Sequence, residues 1–184
     1  MKRKYLKFLI IMTLLIAWSV FIYFVDPVKI IDLIGVQNSY IFGFLISVFG
    51  GLTTFTATSF IATLVTLALG GVNPWLLGLF AGLGLAISDS VFYYFGKKGS
   101  EVISKKTEKR LSKFFAWLKK QPEWLIQILV FLYIGFTPLP NDIVTISLSF
   151  SRFPYKKFII PVFFGDLTFA TLVSVAASFG YHVY

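Results

Sequence analysis

Long apolar segments alternate with short polar or charged ones along most of this 184-residue chain. The apolar segments lie at residues 6–25, 39–71, 73–96, 124–151 and 158–180. At ~1.5 Å per residue, a helix over 6–25, 73–96 or 158–180 is long enough to cross a hydrocarbon core of about 30 Å. Residues 39–71 are too long for one crossing and too short for two. The pattern predicts an all-α integral membrane protein in which some apolar segments do not cross.

The composition agrees with a lipid environment. The chain is 57% hydrophobic, 19% aromatic and 14% charged, with a mean hydropathy of +0.82. A soluble domain of this length cannot bury so much apolar surface. The chain has no cysteine, which excludes disulfides and thiolate metal sites, and its single histidine is His182. The sequence therefore predicts no metal site, no cofactor and no enzyme.

The first apolar segment follows the basic stretch "MKRKYLK". A cleaved signal peptide is one interpretation of this pattern. The apolar run is long for such a peptide, and no small-x-small cleavage site precedes "DP". An uncleaved N-terminal transmembrane helix over 6–25 is the favoured interpretation.

Charge predicts how the segments enter the membrane. Residues 97–120 contain nine Lys or Arg and two Glu, and the N-terminus is also basic. Basic segments stay cytoplasmic, so both should lie inside. A net charge of +9 is thus attributed to membrane topology, and no nucleic-acid partner is expected. Because 6–25 and 73–96 already cross, 39–71 should enter and leave on the outer side as a re-entrant hairpin, bent at Gly50 and Gly51.

The same argument applies to the second half of the chain. Residues 97–120 and the basic turn 151–157 flank 124–151, so that segment should enter and return on the inner side. Its break is "TPLP", where Pro138 and Pro140 lack backbone donors. An ordinary loop between two short tilted spans is the alternative. The last span then leaves the C-terminus outside.

Residues 1–184 are thus predicted to form one multi-pass domain of the cell membrane. Its order is N-terminal helix, hairpin, span, basic linker, hairpin and span. This is an inverted repeat of a re-entrant hairpin plus a transmembrane helix, a common plan of transporters. The sequence similarity between the two halves is weak: "GLGLAISDSVFYYFG" (82–96) in the first half aligns with "GDLTFATLVSVAASFG" (165–180) in the second.

The basic linker 97–120 has an amphipathic pattern. Leu111, Phe114, Phe115 and Leu118 follow helical spacing among lysines. The linker is expected to lie on the anionic cytoplasmic leaflet, with a solvated basic loop as the alternative. The candidate membrane-surface residues are Lys105, Lys106, Lys109, Arg110, Lys113 and Trp117.

Two stretches carry a family resemblance. "GLFAGLGLAISDSVFYYFGKKGSE" (78–101) and "TPLPNDIVTISLSFSRFPYKKFIIPVFFGDLTF" (137–169) resemble the glycine-rich span and the second re-entrant hairpin of the DedA family. That family is also called the VTT or SNARE-associated Golgi protein family. The resemblance covers roughly 40–180. It implies two opposed re-entrant hairpins and movement of lipid by a flippase or scramblase, with proton coupling in bacterial members.

The chain departs from the bacterial pattern in both hairpins. Bacterial members usually carry an acid in the first hairpin and arginines in the second. Here the first reads "TTFTATSF", and the second reads "GFTPLPND". The nearest arginine to the second break is Arg152. These departures speak against carriage of a polyprenyl phosphate by membrane arginines in this chain.

The candidate chemistry lies in the polar residues of the apolar segments. Asp142 at the second break could exchange a proton or meet a cation, or it could cap the helix that follows, with Asn141 as the competing cap. Asp89 and Asp166 occupy comparable places in the two halves, although Asp166 could instead lie near the inner interface. The candidate substrate- or ion-binding residues are Asp142, Asn141, Asp89, Asp166, Thr137, Thr56, Thr58 and Arg152. The threonines of the first hairpin could line a polar path or only pack helices.

These features favour a protein that moves lipid between leaflets. A proton- or ion-coupled transporter of a small solute and a non-transporting membrane scaffold are the alternatives. The expected partners are membrane lipids, with anionic headgroups at the linker, and protons or cations. The sequence leaves open whether the chain forms a homo-oligomer.

Overall fold

The computed structural model describes residues 32–50, 54–99, 120–138 and 141–181, and within them only the backbone of 50, 54–59, 98–99, 142–143 and 180–181. Its helices are α1 (Val36–Gly50), α2 (Thr54–Leu69), α3 (Pro74–Gly99), α4 (Glu123–Phe136), α5 (Asp142–Phe150) and α6 (Tyr155–Tyr181). The regular structure of the described ranges is entirely helical, so the all-α prediction is confirmed there. Two helical stretches, Pro74–Lys97 and Tyr155–Phe179, are long and apolar enough to cross a membrane.

Several predictions fall on residues outside this description. They are the N-terminal helix at 6–25, the six membrane-surface residues of the linker, Gly51 and Pro140. Thr56 and Thr58 lie on α2 and Asp142 begins α5, but their side chains are outside it as well.

Helices α3 and α6 pack against each other in opposite directions. Near the start of α3, a Cβ on Gly78 would lie 2.5 Å from the Cα of Thr171, late in α6. Near the end of α3, the ring of Tyr93 stacks on Phe158, early in α6, with centroids 4.7 Å apart. The missing side chain at Gly78 allows this close backbone approach.

Helices α1 and α2 form the first hairpin. α1 runs in the direction of α3, because Tyr40 accepts from the backbone of Asn73 at the start of α3 and Ser47 lies against Gly84 farther along. α1 ends at Gly50, the first glycine of the predicted bend. α2 packs mainly on α6 and ends just before α3. The first hairpin therefore begins and ends beside the start of α3 and reaches only part of the way along it.

Helices α4 and α5 form the second hairpin. α4 runs in the direction of α6: Glu123 pairs with Lys157, and Gly135 approaches Thr168. α4 ends at Phe136, as expected for a helix followed by Pro138. α5 returns along α3 and ends just before α6. The second hairpin therefore begins and ends beside the start of α6 and turns near the middle of α6.

A proline inside α6 helps fix the second hairpin. Pro161 has no N–H, so the carbonyl of Lys157 one turn earlier lacks its helical donor. The side-chain amide of Gln127 on α4 donates to that carbonyl at 3.1 Å. The carbonyl that Pro161 leaves without a helical donor thus forms a hydrogen bond that holds α4 against α6.

The interior holds two apolar clusters. The first joins α1 and α2 to α3 and α6, and its buried members are Phe60, Leu64, Leu67, Ala68, Val72, Leu77, Ala81, Leu85 and Ala170. The second joins α4 and α5 to α3 and α6, and its members are Tyr93, Ile126, Val130, Ile134, Leu148, Phe153, Phe158 and Val162. Each hairpin thus has its own core, and α3 and α6 take part in both.

Candidate functional site

Two carboxylates lie on the helical faces that link the apolar clusters. On α3, Asp89 is one turn after Leu85 of the first cluster and one turn before Tyr93 of the second. On α6, Asp166 lies in the same way between Val162 and Ala170. Asp89 is 2% exposed and Asp166 is 0% exposed. Both predicted candidates therefore face the protein interior at the boundary between the two cores.

The turn of the second hairpin brings Asn141 between these carboxylates. Its side-chain nitrogen donates to Asp89 Oδ2 at 3.3 Å and to Asp166 Oδ1 at 3.3 Å. An amide nitrogen has two hydrogens, so one group can serve both acceptors. Both bonds are longer than the usual 2.7–3.2 Å for N–H···O. Asn141 therefore bridges α3 and α6 through bonds that are weak for their type.

Thr145 completes the cluster from the first turn of α5. It is fully buried, and its hydroxyl donates to Asp89 Oδ1 at 3.3 Å. Thr145 lies four residues after Asn141, so the two side chains share one face of α5. This face of α5 is the polar side of the second hairpin.

One oxygen of the cluster has no hydrogen-bond partner among the described residues. It is Asp166 Oδ2, which is buried. Leaving a buried carboxylate oxygen unpaired is costly, and two ionised carboxylates around one amide repel each other in a low-dielectric interior. A proton or a cation at this place would relieve both costs. The arrangement can thus hold a positive species, and it offers no nucleophile paired with a base.

The cap predicted for α5 is not at Asp142. Asn141 occupies the N-cap position and Asp142 is the first helical residue. The side chain of Asn141 makes no capping hydrogen bond, because it is directed to the two carboxylates. Asn141, the competing cap in the sequence, therefore holds this position, and the interpretation of Asp142 as the cap is wrong. The contact of Asn141 with Asp89 and Asp166 was not predicted.

The other candidates lie elsewhere. Thr137 donates to the carbonyl of Tyr133 at 2.6 Å, within its own helical turn. Arg152 lies in the exposed turn between α5 and α6 with a φ of 57°, and it lines a cavity of about 240 Å³ beside Glu123. The structure therefore brings together Asp89, Asp166 and Asn141 and does not place Thr137 or Arg152 in that cluster.

Thr145 is the member that sequence reasoning missed. A signal for it was present, because Thr145 follows Asn141 by one helical turn. The apolar stripes on α3 and α6, each interrupted once by an aspartate, are a second signal that the two carboxylates share an interface.

The described residues contain no group of three or more His, Cys, Asp or Glu side chains suited to a metal ion. No family model, curated protein or solved structure matches the chain.

Proposed function

We propose that this protein is a multi-pass membrane protein that moves lipid between leaflets, with the Asp89–Asp166 pair as the place where a proton or cation couples to that movement. The observation that carries the proposal is the meeting of both carboxylates with Asn141 at the turn of the second hairpin. Ionisable groups in membrane segments are rare, and they commonly mark transport pathways and proton relays.

The distribution of side chains supports a membrane location. Large apolar side chains of the long helices point outward, among them Trp75 at 66% and Phe179 at 69% exposure. The carboxylates of the same helices point inward. A core helix of a soluble protein has the opposite pattern. This inside-out arrangement is what lipid as the solvent favours.

The packing of the helices supports the inverted repeat. In each half, the first helix of the hairpin runs along the long helix of its own half. The second helix packs on the long helix of the other half, α2 on α6 and α5 on α3. The long helices run in opposite directions. Exchanging α1, α2 and α3 for α4, α5 and α6 therefore leaves this scheme of contacts unchanged.

The proposed topology follows from charge and from hairpin depth. α1 has 15 residues and α4 has 14, or about 21–23 Å each, which is less than the ~30 Å hydrocarbon core. The first hairpin would enter from outside and the second from the cytoplasm. The N-terminus would lie inside and the C-terminus outside. The basic linker would lie on the anionic inner leaflet.

A proton- or ion-coupled transporter of a small solute is the second candidate. The burial of Asp89 and Asp166 favours it, because a small species needs less movement of the second hairpin to reach buried carboxylates than a lipid headgroup does.

A lipid-movement assay in proteoliposomes separates these functions. Reconstituted protein is expected to move a fluorescent lipid between leaflets, and a pH gradient is expected to change the rate. Lipid movement at a rate that does not depend on the pH gradient would favour an uncoupled scramblase. Gradient-driven uptake of a solute without lipid movement would favour the second candidate. If neither lipid movement nor solute uptake is detected, the protein would be a non-transporting membrane scaffold.

A further inference from the structure

The position of one nitrogen atom suggests what the carboxylate pair recognises. The Asn141 nitrogen lies 3.3 Å from an oxygen of Asp89 and 3.3 Å from an oxygen of Asp166. A group placed there must present at least two N–H donors in different directions. The neutral amide meets this geometric need but brings no positive charge to two acidic groups.

A cationic nitrogen would satisfy the same two oxygens better. Charge-assisted N⁺–H···O⁻ bonds have lengths of about 2.7–2.9 Å and are roughly twice as strong as neutral ones. An ammonium group has donors in more than two directions. One of them could reach the unpartnered oxygen Asp166 Oδ2, which is fully buried. The ammonium would also reduce the repulsion between the carboxylates.

We propose that the Asp89–Asp166 pair is a binding site for an ammonium group, and that the Asn141 amide occupies the ammonium position when the site is empty. This inference rests on the proposed transport function, because it names the chemistry of the molecule moved. The ammonium belongs either to a lipid headgroup or to a free amine.

The second hairpin is built so that Asn141 can leave this position. Asn141 is the N-cap of α5, yet its side chain makes no capping bond. Among the described residues, withdrawal of the amide therefore breaks the two long bonds to the carboxylates and no capping bond. The residue lies in the turn between α4 and α5, where Thr137 has extended backbone with ψ of 136°. Withdrawal of the Asn141 side chain would uncover the carboxylate oxygens that it now contacts, and the buried apolar residues of α4 that pack on α6 do not include Asn141.

Binding of methylammonium to purified protein tests the site directly. Calorimetric titration with methylammonium chloride, with sodium chloride as the matched salt, is expected to give saturable binding of the amine only. Asp166→Asn and Asp89→Asn should each weaken binding about tenfold or more, the factor for one charge-assisted hydrogen bond. Asp32→Asn makes the same chemical change at an exposed acid and should bind as the wild type does.

Replacement of Asn141 gives the sharper result. Because Asn141→Ala removes no capping bond and takes away the amide that competes for both carboxylates, it should bind methylammonium tighter. The gain should be only roughly three- to tenfold, since the two lost bonds are long and therefore weak for their type. A loss of polarity without this role would leave binding unchanged or weaken it. Unchanged or weaker binding by Asn141→Ala therefore overturns the proposal that the amide occupies the ammonium position.

The source of the ammonium is separated by a competition experiment. Protein in nanodiscs of phosphatidylethanolamine should bind methylammonium more weakly than protein in nanodiscs of phosphatidylcholine if the lipid headgroup is the ligand, because the two lipids have the same net charge and only the first has N–H donors. Equal binding in both assigns the site to a free amine.

Equal responses to sodium and methylammonium, or no saturable binding of either salt, overturn the ammonium site. The lipid-movement assay is independent of these titrations. Lipid movement with no amine binding removes this inference and leaves the transport function standing, whereas a lack of movement removes the function itself.

Discussion

Replacing Asp166 with asparagine is expected to slow coupled transport strongly while the fold survives. Asparagine keeps the shape of the side chain and can still contact Asn141, but it removes one of the two charges in the cluster. The transport rate should fall at least about tenfold, because losing a charged hydrogen-bond partner costs ~1.5–3 kcal/mol and 1.4 kcal/mol is a factor of ten. The free energy of unfolding should be unchanged or higher, since a buried charge has been removed.

The measurement is lipid movement in proteoliposomes across a range of pH, together with thermal unfolding in detergent. Asp32→Asn is the matched control, because Asp32 is exposed and lies outside the cluster. An Asp166→Asn protein with the rate and pH profile of the wild type would mean that the carboxylate is only structural.

The close approach of α3 and α6 gives the second large effect. A Cβ on Gly78 would lie 2.5 Å from the Cα of Thr171, and a Cβ on Gly82 would lie 2.7 Å from the Cα of Leu167. These neighbours are backbone atoms and cannot rotate away. Gly78→Ala and Gly82→Ala should each lower the free energy of unfolding by ~1–3 kcal/mol, the usual cost of overpacking.

Gly135 offers a control with the same substitution. A Cβ there would meet Thr168 at 3.4 Å, which is ordinary contact, and alanine is a better helix former than glycine by up to ~1 kcal/mol. Gly135→Ala should therefore be neutral or stabilising in thermal unfolding. Equal stabilities of Gly82→Ala and Gly135→Ala would contradict the tight α3–α6 contact.

The sequence predicts the long helices well because their signals are local. The predicted span 73–96 corresponds to α3 (Pro74–Gly99), and 158–180 corresponds to α6 (Tyr155–Tyr181). The start of α3 is marked by Asn73, whose side-chain oxygen accepts from the backbone of Trp75 and Leu76, followed by a proline at the first helical position. Apolar length and a capping residue are readable without tertiary structure.

The composition of the cluster was harder to predict. The sequence favours Asp142 as the main candidate at the second break, because a carboxylate in an apolar segment commonly marks a functional site. The structure instead directs Asn141 to the carboxylates of α3 and α6. Whether Asn141 faces these carboxylates depends on the rotation of α5 about its axis. That rotation is set by packing against α3, through contacts such as that of Gly96 with Ser149, and a local pattern does not contain it.

The opposed entry of the two hairpins is the central claim, and cysteine labelling tests it most directly. The chain has no cysteine of its own, so Leu33→Cys, before the first hairpin, and Lys156→Cys, after the second, each give a single site. Both positions are exposed. With a membrane-impermeant maleimide, Leu33→Cys should label in intact cells, and Lys156→Cys should label only after the membrane is opened. Labelling of both cysteines from the same side would contradict the inverted arrangement.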